Sequence, residues 1–443
     1  VTSFNTALLT DQYELTMVAA ALADHTAHRT CTFEVFARRL PEGRRYGVVA
    51  GTGRLIEQLS QFTFGPEQLA VAEKFLDADT LEWLSNYRFS GDIDGYPEGE
   101  LFFPGSPILT VRGSFAEAVM LETLALSILN HDSAIASAAA RMVTAAGSRP
   151  IIEMGSRRTH EQAAVASSRA AYLAGLSATS NLEAARRHGV PSAGTSAHSF
   201  TLLHTTSDGP DEKAAFAAQV AKLGVGTTLL VDTYDITQGV ANAIEVAGTE
   251  LGAVRIDSGD LGVLARQVRR QLDDLGATST RIVVSGDLDE YAIASLRAEP
   301  VDVYGVGTSL VTGSGSPTAG MVYKLVEVDG IPVAKRASHK ESRGGAKTAI
   351  RTAKATGTIV EEIIYPTGAA APETTQAARP LQIPLIRGGE PVADLPTLDD
   401  SREHLAAALV SLPWEGLGLS RGEPAIPVRF IAPETHRPEG FRP

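Results

Sequence analysis

The chain has 443 residues, 44% hydrophobic and 21% charged, which is about three domains' worth of ordinary globular protein. Its 39 Lys and Arg stand against 52 Asp and Glu, a formal charge of −13 that excludes the basic footprint of a nucleic-acid binder and leaves any anionic substrate to local groups. A single cysteine, Cys31, excludes an intrachain disulfide framework and a Cys-cluster zinc site, and no uncharged apolar run approaches the ~20 residues of a membrane span.

These properties together predict a cytoplasmic protein without membrane or nucleic-acid partners. Residues 1–114 read as mixed and irregular. TFEVFARRLP is a strand ending in a turn, with Cys31 packed in the same run, and ELFFPGSPILTVRG is two strands broken at Pro-Gly. Residues 115–146 are rich in Ala and Leu, contain no internal Gly or Pro, and have helical periodicity.

From 150 a rhythm begins. Short apolar runs open at PIIEMG, GVPSAG, TTLLVDT, GAVRIDSG, RIVVSGD and VDVYGVGT, most of them separated by helix-like stretches such as DEKAAFAAQVAKLG. This alternation predicts parallel strands with helices packed outside, in a barrel or an open doubly wound sheet. After about 320 strands return (MVYKLVEV, IPVAKRAS), followed by a Pro-, Ala- and Thr-rich stretch, an acidic helix and a Pro-rich tail. The expected division is 1–114 and 321–443 as accessory structure around an α/β catalytic domain at 115–320.

Polar residues mark the site. Glu153, Asp232, Asp257, Asp287 and Thr308 each fall at or just past the C-terminal end of a predicted strand, the side on which parallel α/β domains build active sites. GVGT at 305–308, with the Gly- and Ser-rich segment after it, suits a phosphate loop because small residues let backbone N–H groups approach an anion; a tight turn is the plainer alternative. It lacks the third glycine of a dinucleotide fingerprint and the Walker lysine. RIDSGD places Arg255 and Asp257 on one strand face, either as a structural ion pair or as a guanidinium fork beside a carboxylate facing positive charge or magnesium. SRR at 156–158 adds two guanidinium groups. His198 lies in the small-residue loop GTSAHSF, the setting an accessible imidazole nucleophile requires. SGDL occurs at both 258–261 and 285–288, between a strand and a helix, where capping and ligand binding use the same geometry.

These residues resemble the nicotinate phosphoribosyltransferase family over about 8–350, in ordered blocks: LLTDQYELTM, FEVFARRLPEGRRYGVVAG, EGELFFPGSPIL, MGSRRTH, ATSN, GTSAHSF, VDTYD, RIDSGD, SGDLD and GVGT. The resemblance implies the type II phosphoribosyltransferase fold, an irregular (β/α) barrel with a smaller α+β domain built from both chain ends, working as a homodimer with shared active sites. It implies that Tyr13 joins the nicotinate pocket across the dimer interface and that Thr195 and Arg255 contact nicotinate. Arg157, Gly286, Gly307 and Thr308 would belong to the phosphoribosyl pyrophosphate site. His198 would be phosphorylated by ATP as co-substrate, with Asp232 and Asp257 near the ribose and Mg²⁺ and Asp257 supporting the chemistry. Asn181 of ATSN is neutral where the similar nicotinamide enzymes carry Asp. The chain departs from the family at Gly344-Gly345, where a Pro-Gly turn is usual, so Lys340 is left out of the expected site. Two rivals stand beside this expectation: a nicotinamide- or quinolinate-specific transferase, and a phosphate-binding barrel lyase or isomerase, which would want a lysine at a strand end.

Overall fold

A computed structural model describes residues 5–335 and 343–432; Lys340 lies outside them. The chain forms two compact units, one from Val1–Ala134 with Thr318–Pro443, the other from Ile135–Pro317. The first change of unit falls inside the helix Glu122–Ala146, later in the chain than 114/115, and the second close to 320.

The unit drawn from both chain ends holds the greater number of residues. Its main sheet is antiparallel and seven-stranded, in the order Ile331–Pro332, Met321–Val328, Thr30–Ala37, Leu109–Ser114, Asp92–Gly95, Ile383–Arg387 and Glu390–Pro391. Thr30–Ala37 is paired on both edges and buried along most of its length, which is why TCTFEVFA reads as one β-branched and aromatic run. Phe33 stacks on Tyr323 from the neighbouring strand with ring centroids 4.9 Å apart. Cys31 is free and buried here, and burial pushes its thiol up to about 11.

A second, four-stranded sheet of the same unit runs Ala377–Pro380, Lys347–Ala353, Ile359–Pro366 and Val428–Phe430. At its centre Arg351 is enclosed and bonds the buried carboxylates of Glu100 and Glu362. Burial alone would push the Glu100 carboxyl up, yet Arg351, His404 and Arg379 hold it below the carboxylate range. The acidic helix expected after the Pro- and Thr-rich stretch is Leu398–Ser411, opened by a Thr397–Asp400 capping box.

The central unit is a curled parallel sheet of six strands in the order Thr228–Leu230, Ala253–Ile256, Arg281–Val284, Val303–Val306, Ile151–Glu153 and Ala178–Thr179. All five pairings are parallel. Beyond Ala178–Thr179 the expected GVPSAG strand is reduced to one bridge, Thr179 to Ser192, because Pro191 has no N–H to extend a ladder. The sheet is therefore an open half-barrel. Its seam lies between that bridge and Thr228–Leu230, and the connecting chain carries the His198 loop. Among the described residues no helix is long and apolar enough to cross a membrane.

Candidate active site

Parallel strands end on one side, and helix N-termini gather there. After Ala253–Ile256 the chain turns at once into the helix Leu261–Asp274, whose first turn is capped by Asp260 accepting from the Val263 N–H at 3.1 Å. This short turn pins Arg255 and Asp257 at the C-terminal end of the sheet. Arg255 donates from Nε to Ser285 Oγ at 2.8 Å, from Nη1 to Thr195 Oγ1 at 3.0 Å, and from Nη2 to Asp257 Oδ1 at 2.9 Å. Of five guanidinium N–H groups, three are engaged, which leaves one on each Nη.

Asp257 Oδ1 also accepts from Ser285 Oγ. Partial burial works to raise the Asp257 carboxyl, but the Ser285 hydroxyl, Arg255 and His198 hold it below its ordinary value, so it is anionic at neutral pH. Behind it, Asp232 Oδ2 accepts from the Asp257 N–H at 2.8 Å and from Ser258 Oγ at 2.9 Å. Asp232 Oδ1 is buried without a hydrogen-bond partner and lies 4.0 Å from His198 Nε2. His198 opens the short helix His198–Leu203; its Nδ1 is 3.1 Å from Thr233 Oγ1, and its Nε2 is also 4.0 Å from Asp257 Oδ2. The imidazole thus faces two carboxylate oxygens that no hydrogen bond occupies among the described residues.

Two adjoining cavities share Met154, Arg157, Arg255 and Asp257. The larger, about 320 Å³, is also lined by Ser156, Ser180, Thr195 and His198. The smaller, about 170 Å³, adds Arg158, Ser285, Gly286, Asp287, Gly307 and Thr308. Neither guanidinium of Arg157 or Arg158 has a side-chain partner among the described residues. Three cations against the carboxylates of Asp257 and Asp287 give a site suited to a phosphorylated, carboxylate-bearing ligand pair.

Glycine shapes the smaller cavity. Gly286 has φ +121°, and a Cβ there would lie 2.6 Å from the Asp257 carbonyl oxygen. A Cβ on Gly155 would lie 2.3 Å from Val311 Cγ1. Asp287, at φ 47°, takes a hydrogen bond from Thr308 Oγ1 at 3.3 Å.

The cavities unite Arg157, Thr195, His198, Arg255, Asp257, Gly286, Gly307 and Thr308, with Asp232 buried behind them. Asn181 stands apart. Its Oδ1 caps the helix Leu182–His188 through the Ala184 N–H at 2.9 Å, and its Nδ2 donates to Ser156 Oγ at 3.0 Å, so it reaches the cavity through Ser156. Glu153, expected at the site, is turned into the wall: its carboxylate accepts from Ser168 Oγ at 2.9 Å, from Thr179 Oγ1 and from the Gly155 N–H. Tyr13 belongs to the other unit, on the helix Gln12–Ala23; desolvation with Glu122, Glu14 and Asp11 nearby raises its phenol to about 12. Ser285 and Thr233 were not singled out from sequence. The only signal for Ser285 was the repeated SGDL. In its second copy the helix that follows is capped by Asp289, outside the repeat. Among the described residues no group of three or more His, Cys, Asp or Glu is arranged to hold a metal.

Comparison with known proteins is consistent with this geometry. Residues 8–130 match the nicotinate phosphoribosyltransferase N-terminal domain, and residues 150–358 match the nicotinate phosphoribosyltransferase family. The chain is 67% identical over 427 residues to nicotinate phosphoribosyltransferase pncB1 of Mycobacterium tuberculosis, covering 96% of this chain and 95% of that protein. It is 31% identical to the Homo sapiens nicotinate phosphoribosyltransferase, covering 89% of each. In structure it resembles human nicotinic acid phosphoribosyltransferase with a TM-score of 0.82 at 26% identity, over 96% of this chain and 97% of that one.

Proposed function

The chain belongs to the nicotinate phosphoribosyltransferase family, and from that premise we propose that it joins nicotinate to phosphoribosyl pyrophosphate in NAD salvage, assisted by ATP through phosphorylation of His198. The observation that carries this reading is the Arg255 guanidinium, with a free N–H on each Nη, at the junction of a cavity of about 320 Å³, roomy enough for a pyridine ring and its carboxylate, and a glycine-lined, arginine-rich one.

The nicotinate carboxylate pairs with Arg255 and the Thr195 hydroxyl, and the phosphoribosyl pyrophosphate oxygens lie against Arg157, Gly286, Gly307 and Thr308. The pyridine nitrogen attacks the anomeric carbon with its own lone pair, while the bond to pyrophosphate breaks and the leaving oxygen keeps the electron pair. No general base is needed. The Asp257 carboxylate, held anionic, offsets the positive charge that develops on the sugar ring. Asp257 Oδ2, which has no hydrogen bond, together with the pyrophosphate oxygens meets the needs of Mg²⁺, which binds through one or two carboxylates plus substrate phosphates and not through a dedicated protein cage; the ion would neutralise the departing charge. Asp232 supports Asp257 from behind.

The second co-substrate acts through His198. One imidazole nitrogen forms a bond to the γ-phosphorus of ATP as ADP leaves, and water later cleaves that phosphohistidine to phosphate. Partial exposure lets ATP reach the imidazole, and the carboxylates of Asp232 and Asp257, both facing Nε2, offset the positive charge that develops on Nε2–H when Nδ1 takes the phosphoryl group. The phosphorylated state remodels the site toward tighter substrate binding. A cytoplasmic homodimer in which Tyr13 reaches the partner's nicotinate pocket completes the proposal; the phenol is partly exposed and neutral at physiological pH, as a ring stacked on a pyridine should be.

Incubation with γ-labelled ATP should give an acid-labile, alkali-stable protein label. The His198→Ala variant is expected to lose the label and the stimulation by ATP while keeping a basal transfer rate. Retention of the label by that variant refutes the assignment.

A further inference from the structure

We propose that Ser285 is a positioning residue that sets the preference for a carboxylate-bearing pyridine by holding Arg255 out of a closed pair with Asp257. The inference rests on the reading that Arg255 receives the nicotinate carboxylate.

Ser285 follows the strand Arg281–Val284 directly, and its N–H bonds the Ile256 carbonyl at 3.0 Å, so it is fixed beside the Arg255 strand. It is buried, 4% exposed, and Gly305 next to it leaves no side chain to compete for the space. Its hydroxyl has two tasks. It accepts from Arg255 Nε at 2.8 Å, and it donates to Asp257 Oδ1.

An arginine beside a carboxylate ordinarily closes two parallel N–H···O bonds, one to each oxygen. Here only Nη2 reaches Asp257, and only its Oδ1, because the serine hydroxyl occupies Nε and the remaining capacity of that oxygen. Two consequences follow. Asp257 Oδ2 stays open toward His198 at 4.0 Å, and the guanidinium keeps its Nη1 bond to Thr195, which aims the free N–H groups at the larger cavity. Without the hydroxyl, Nε loses its acceptor, and the second oxygen of the carboxylate it already touches, Asp257 Oδ2, is open to it. The guanidinium then turns onto Asp257, leaves Thr195, and withdraws from the incoming carboxylate. In binding, an uncharged amide loses little by this movement.

The test is steady-state kinetics with nicotinate and with nicotinamide for the wild-type enzyme, Ser285→Ala and Ser285→Thr, with Tm measured for each. The alanine variant is expected to lower kcat for both bases alike, because Asp257 loses the Ser285 hydrogen bond and Arg255 closes on it, and beyond that common loss to raise KM for nicotinate by about tenfold relative to nicotinamide, the scale of one lost charge-assisted hydrogen bond. Threonine, which keeps the hydroxyl, is expected to restore the wild-type preference. A nicotinate-to-nicotinamide ratio of kcat/KM that is unchanged in Ser285→Ala, with only the common loss for both bases, overturns the role. If the alanine variant does not fold, Ser285→Cys supplies the same comparison with a weaker donor and acceptor, and an unchanged ratio there overturns it equally. The wild-type ratio tests the nicotinate reading itself, separately from the change on substitution.

Discussion

Gly286→Ala puts a methyl group where the backbone has left no room for one. At φ +121° the residue occupies a region open essentially to glycine alone, and holding alanine there costs about 1–3 kcal/mol. The new Cβ would also stand 2.6 Å from the Asp257 carbonyl oxygen and 3.4 Å from its carbon. That neighbour is backbone at the end of a paired strand, not the tip of a flexible side chain, so relief requires moving the Asp257 turn or the 286–287 turn, at about 1–3 kcal/mol more. In a unit the size of Ile135–Pro317 each kcal/mol shifts Tm by about 2–4 °C, so the summed cost of about 2–6 kcal/mol predicts a loss of roughly 4–24 °C. Displacement of the glycine turn also moves the wall of the smaller cavity. KM for phosphoribosyl pyrophosphate is therefore expected to rise by at least about tenfold, with the nicotinate constant changed less. Thermal unfolding and two-substrate kinetics on one preparation read both effects. A variant with wild-type Tm and a wild-type constant for phosphoribosyl pyrophosphate would show that the turn carries neither the strain nor the contact argued here.

Arg351→Met leaves Glu362 with only the Tyr96 and Ser106 hydroxyls and Glu100 with Arg379 and His404, and the loss of the cation beside Glu362 is expected to destabilise the protein by about 3–5 kcal/mol at pH 7. Urea unfolding of the variant beside the wild type reads the loss, and equal midpoints would refute it. Mixed dimers of Tyr13→Ala and His198→Ala chains should recover ATP-stimulated turnover that neither parent shows, measured after co-refolding; a fully active monomer at low concentration would rule out the shared site.

Most of the central sheet was legible because five of its six strands are short apolar runs that end in a polar residue and lead to a helix start. Ile151–Glu153, Thr228–Leu230, Ala253–Ile256, Arg281–Val284 and Val303–Val306 all follow that pattern. Ala178–Thr179 did not stand out, since a two-residue strand carries no periodicity, and GVPSAG misled because an apolar run says nothing of the N–H that Pro191 lacks. The change of unit within Glu122–Ala146 was hidden for the opposite reason: nothing in an uninterrupted helical period records which part of a helix packs on which core. At the site, Asp257 was visible as a polar group at a strand end and Arg255 as its companion on the same strand face, whereas the role of Thr195 came only from the family resemblance. Glu153 shared that signature and is nevertheless structural, because Ser168 and Thr179, distant in sequence, converge on its carboxylate. Ser285 was masked by its own context, since a serine before Gly-Asp at a helix start looks like a cap.

The arrangement of the two units also bears on synthesis. The strand Thr30–Ala37 leaves the ribosome early, yet one of its two edge partners, Met321–Val328, is made only after the whole of Ile135–Pro317. The continuous central unit can collapse on its own short-range βα contacts while the amino-terminal segment waits with an unsatisfied strand edge. That waiting strand is rich in β-branched and aromatic residues and carries one internal charge, Glu34, so while its edge is open it is prone to pair with other chains. Slow translation through the central unit prolongs the exposure, and expression yield should therefore depend more on elongation rate and holdase supply than on the stability of the finished enzyme.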